Sequence, residues 1–91
     1  MVEEEQLSQL ENIVSQLGIH LRYEKGDFQG GICRIGEERV LIVNRALQPQ
    51  QKIAIIAAEL AQIDLAGVFI VPAIRELIEV NANAPSHQED R

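Results

Sequence analysis

The chain has 91 residues, enough for one hydrophobic core and too few for two. Apolar residues make up 46% and charged residues 24%, the balance of a folded globular protein and not of a disordered one. Eight Lys/Arg against fourteen Asp/Glu leave a net charge of −6, which argues against binding nucleic acid or an anionic lipid surface, since both need a basic footprint.

The lone cysteine, Cys33, has no second thiol to pair with, so nothing asks for an oxidising compartment. The start Met1-Val2-Glu3-Glu4-Glu5 is acidic, the opposite of a signal peptide, and no apolar run approaches the ~18 residues of a membrane span. A cytoplasmic protein without a membrane partner is expected.

Leu7, Leu10, Val14 and Leu17 follow one another at helical spacing, which predicts an amphipathic helix over residues 3–17. Glu3, Glu4 and Glu5 sit where the helix dipole favours negative charge, and Gly18 suits the position that closes a helix. From Ile19 the period changes to two. Ile19, Leu21 and Tyr23 alternate with His20, Arg22 and Glu24, as in a half-buried strand. Residues 32–35 and 39–44 read as two more strands, separated by Gly36-Glu37-Glu38. Short connections favour antiparallel neighbours, so a three-stranded meander is expected. Val40-Leu41-Ile42-Val43 is apolar on both faces and is expected to be central, or covered on both sides.

Pro49 opens a helix expected to reach about Asp64, with Ile53, Ile56, Ala57 and Leu60 inward. Its other side carries Ile55, Ala58, Glu59 and Gln62 and is not properly polar, so something should cover it. Val68–Val71 is a short apolar run, and Pro72 opens a last helix with Ile74, Leu77 and Ile78 inward. Residues 81–91 hold no large apolar side chain and read as a disordered tail behind a single domain over residues 1–80.

Chemistry-bearing patterns are few. Cys33 and His20 are the one thiol and imidazole that neighbouring strands can bring together, but no oxyanion-hole motif accompanies them, and a strand cysteine usually serves as a small hydrophobe. Two histidines and one cysteine without paired spacing are too few for an ordinary zinc site. Gly30-Gly31 and Gly36 are turn glycines and make no phosphate loop. Glu59 and Asp64 are spaced so that they do not share a helix face.

One stretch bears a resemblance to a known family. Gly31–Ile35, then Arg39-Val40-Leu41-Ile42-Val43-Asn44-Arg45-Ala46-Leu47, then the helix from Pro49 through Ala58-Glu59-Leu60-Ala61-Gln62 resembles the core of ImmA/IrrE-type zinc metallopeptidases. The resemblance implies a strand, an Asn-x-x-Leu turn and a zinc helix bearing His-Glu-x-x-His. Glu59 matches the general base of that motif. Ala58 and Gln62 stand where its two zinc ligands belong, so the resemblance implies a vacated metal site. Glu76 and Glu79 lie downstream and read as solvent-facing helix residues.

The fold expected is α+β: an N-terminal helix, a three-stranded antiparallel sheet and two C-terminal helices packed on the sheet. The function expected is a small non-catalytic binding or assembly module without cofactor. Its partner is another protein or a second copy of the chain, met through Leu41, Val43, Ile55 and Ala58. The resemblance supplies two alternatives: a hydrolase with an incomplete metal site, and a regulator linked to transcription.

Overall fold

The computed structural model describes residues 1–82. The order of elements is α1 (Glu3–Gln16), β1 (His20–Glu24), β2 (Gly30–Ile35), β3 (Glu38–Asn44), α2 (Pro49–Leu60) and α3 (Pro72–Val80). The tail expected at 81–91 falls outside these residues from 83 onward. Asn81 and Ala82 close α3 in a turn, with Asn81 Nδ2 donating to the Leu77 carbonyl at 2.9 Å.

The end of α1 follows from its sequence. The amides of Gly18 and Ile19 donate to the carbonyls of Ser15 and Val14, and Gly18 takes φ +77°. That pair of bonds is the Schellman closure, which satisfies carbonyls the helix itself leaves unpaired.

The sheet is mixed, not an antiparallel meander: its order is β1-β3-β2, with β1 parallel to β3 and β2 antiparallel to it. After β1 the chain crosses the end of β3 through residues 25–29, descends as β2, and turns at Gly36-Glu37 to insert β3 between the first two strands. Five residues are ample to span two strand spacings, about 10 Å. Asn44 holds the crossing in place. Its Nδ2 donates to the carbonyls of Gly26 and Phe28 at 2.9 and 2.6 Å, and its backbone amide donates to Gln29 O at 2.8 Å. The apolar β3 thereby takes the centre, as its composition predicts, and the half-polar β1 and β2 become edges.

The three helices of the described residues lie on one face of the sheet. Helices α1 and α2 pack on the strands, whereas α3 packs on α2 and α1 and approaches no strand. The expectation that the two C-terminal helices cover the sheet is therefore corrected: α1 takes the place given to α3. The long apolar stripe of α1 is the better match to the sheet, while α3 presents only two buried side chains, Ile74 and Ile78. The core between the layers is built from Leu10, Val14, Leu41, Val43, Ile56 and Leu60, all fully buried, at ~1.5–3 kcal/mol of transfer free energy for each side chain. Among the described residues no helix is long and apolar enough to cross a membrane.

Candidate functional site

Helix α2 ends at Leu60, a turn earlier than its apolar pattern implied. Ala58 and Glu59 are half-buried on it. Gln62 lies beyond it in a tightened turn, where its amide donates to Glu59 O at 3.1 Å. The two positions implied as vacated zinc ligands are thus not both on an unbroken α-helical turn. Among the described residues, no group of three or more His, Cys, Asp or Glu is placed to share a metal ion.

Cys33 and His20 do not meet. Both are partners of Val40, one from each side, so β3 separates them by two strand spacings, about 10 Å. His20 Nε2 instead lies 3.4 Å from Glu38 Oε1, and Cys33 is a free, exposed thiol. The mixed topology, which puts β3 between their strands, is the reason.

The strand register defines what lies on the sheet face that no helix covers. Rows His20-Val40-Cys33 and Arg22-Ile42-Gly31 cross it, with Ile35 beside Glu38 at the hairpin end. Val40 is only 3% exposed, enclosed by its neighbours on the open face. Ile42 is half-buried because Gly31, its partner, has no side chain to set against it. The space left beside Ile42 is an open hollow of about 490 Å³, bordered by Phe28, Gly31, Ile32 and Cys33. Phe28 forms its rim, lying so close over Gly26 that a Cβ there would meet Phe28 Cε1 at 2.5 Å. Phe28 and Ile35 are 37% and 53% exposed.

No known protein family, curated protein or solved structure matches the chain.

The residues expected at an interface lie elsewhere. Leu41 and Val43 point to the helices and are fully buried, and Ile55 is buried against β2, where a Cβ on Gly30 would meet its Cγ2 at 3.1 Å. Ala58 is half-buried behind them. The unpolar flank of α2 is covered by the chain's own β2, at least at Ile55. On β3 it is the alternate residues, Val40 and Ile42, that face outward. The run Val40–Val43 is apolar at every position, so a period of two cannot say which pair is covered.

A further cluster escaped sequence reasoning. Tyr23 Oη on β1 donates a hydrogen bond to Glu11 Oε2 on α1, and Lys52 Nζ on α2 lies 5.1 Å from the centre of the same ring. Burial, then the Glu11 hydrogen bond and charge, push the Tyr23 phenol well above its ordinary range. The half-buried strand position of Tyr23 was legible, but contact with a residue twelve places earlier was not.

Proposed function

We propose that the chain is a small non-catalytic binding module that takes a protein partner on the uncovered face of its sheet. The hollow between Phe28, Gly31 and Ile42 carries this reading. It is an apolar recess on the face that none of the described helices packs against, rimmed by an aromatic ring. Concave apolar sites with aromatic rims are common places of recognition.

A photo-crosslinking amino acid in place of Phe28, with the same group in place of exposed Glu76 on α3 as control, tests it in extracts of the native cell. We expect an adduct from position 28 and not from position 76. Its mass distinguishes a foreign protein from a second copy of the chain. Equal adducts from both positions, or none, overturn the proposal.

Ancestry forms a second part of it: a degenerate relative of the metallopeptidases that the sequence resembles, with Ala58 and Gln62 in the ligand positions beside Glu59. Zinc calorimetry on A58H/Q62H against the wild type and both single variants checks this. A gain in affinity confined to the double variant is expected. No gain removes the ancestry and leaves the binding module untouched.

A further inference from the structure

Among the described residues nothing pairs with the outer edge of β2, and its main chain is poised to pair. The Asn44 amide donates to Gln29 O, so residues 29 and 44 form a hydrogen-bonded pair. Antiparallel alternation puts Gly31 with Ile42, Cys33 with Val40 and Ile35 with Glu38 in the same class. The amides and carbonyls of Gly30, Ile32 and Arg34 are thereby directed away from the sheet. Among the described residues β2 is an edge strand, so these groups have no further described strand to pair with.

Charge at the same edge selects what can pair there. Arg34 is the partner of Arg39 across the two strands, on the helix-facing side. Two like charges placed opposite each other repel, a cost that a carboxylate beside Arg34 lowers. Arg39 Nη2 donates to the Leu17 carbonyl at the end of α1, at 3.0 Å. Arg34 is exposed and has neither hydrogen bond nor ion pair among the described residues. A guanidinium with open donors offers a carboxylate two parallel bonds.

We infer that an extended acidic peptide segment adds to the sheet along β2, pairing with Gly30, Ile32 and Arg34 and setting a carboxylate against Arg34. The inference rests on the binding-module reading and specifies the partner's chemistry. Side chains of an added strand alternate in direction. Those on the helix-facing side meet Arg34, and those on the other side reach the hollow beside Gly31 and Ile42. The segment recognised therefore alternates acidic and apolar residues, the mode known as β-strand addition.

The probe is a fluorescent seven-residue peptide of alternating Val and Glu, read by anisotropy against the whole chain. Its companions are the Val/Lys analogue and the Val/Glu peptide N-methylated at alternate residues, made in both registers. We expect the Val/Glu peptide to bind, and amide shifts in the protein to concentrate at Gly30, Ile32 and Arg34. R34E, folded by circular dichroism, should weaken it by about ten-fold or more, the scale of a charge-assisted bond, and should take the Val/Lys analogue instead. At least one N-methylated register should not bind.

No binding of the Val/Glu peptide at millimolar concentration overturns the inference, as does binding indifferent to R34E or to N-methylation in both registers. Amide shifts at Gly30, Ile32 and Arg34 that grow with protein concentration in the absence of peptide give the edge to a second copy, and overturn it too. A crosslink from position 28 that persists while this edge binds nothing leaves the outer-face reading standing.

Discussion

Tyr23 joins three elements through one side chain: β1 carries it, Glu11 of α1 accepts a hydrogen bond from its hydroxyl, and Lys52 of α2 sits over its ring. Tyr23→Phe keeps the packing and removes the bond. We expect a loss of about 1–2 kcal/mol in urea unfolding at neutral pH. The folded phenol is raised above the ordinary value of about 10, so its contribution is complete below that pH and fades as pH rises through the folded value. The stability gap between wild type and variant should therefore narrow above pH ~10. A constant gap would mean that the hydroxyl bond contributes nothing. Tyr23 is the only tyrosine, so phenolate absorbance reports its titration directly. Asn44 is the second single residue with reach. Asn44→Ala removes its side-chain bonds to Gly26 and Phe28 and should cost about 1–2 kcal/mol, loosening Phe28 at the rim of the hollow. Amide shifts confined to residues outside 25–29 would contradict that.

The elements differ in how far they could be read. The caps and stripes of α1 and α3 are local features, and their bounds follow from Gly18, Pro72 and the spacing of apolar residues. Helix α2 was read too long because the apolar pattern continues past Leu60 into Ala61 and Ile63, where it serves a turn packed on the core. The strands were legible except that Gly30 and Gly31, expected in a turn, open β2, where lack of a side chain lets Gly30 lie against Ile55; the pairing was not. A five-residue connection suits a neighbouring hairpin and a crossing alike, and the decision belongs to the greater apolar content of β3. The site suffered from the same ambiguity, since Leu41 and Val43 are as apolar as Val40 and Ile42. One strand position is less forgiving than its neighbours. A Cβ on Gly30 would meet the Ile42 carbonyl oxygen at 2.7 Å and Ile55 Cγ2 at 3.1 Å. Gly30→Ala should cost about 1–3 kcal/mol by overpacking, measured as a fall in the urea midpoint. An unchanged midpoint would mean that β2 shifts freely at its first residue.

Across the whole molecule the sheet has one central strand and two edges, and protection against hydrogen exchange should map this. Amides of β3, paired on both sides and backed by helices, should exchange slowest. Along β2 protection should alternate: Gly31, Cys33 and Ile35 slow, Gly30, Ile32 and Arg34 fast. Uniform protection along β2 would mean that its outer edge is already paired. The measurement needs no knowledge of a partner. It separates the edge from the open face, whose side chains leave amide exchange unaffected.

The insertion of β3 between two strands that precede it has a consequence for the order of events during synthesis. β1 and β2 do not touch each other, and each acquires its partner only when β3 exists; His20 and Val40, partners in the sheet, are twenty residues apart. A ribosome that has released residues 1–37 presents one helix and two strands with no sheet to join. Closing the parallel pair also costs more loop entropy than the Gly36 hairpin. The hairpin is therefore the natural nucleus, with β1 and α1 docking onto it afterwards. The newborn chain exposes its apolar strand edges until Asn44 has emerged and the crossing over β3 can be fastened.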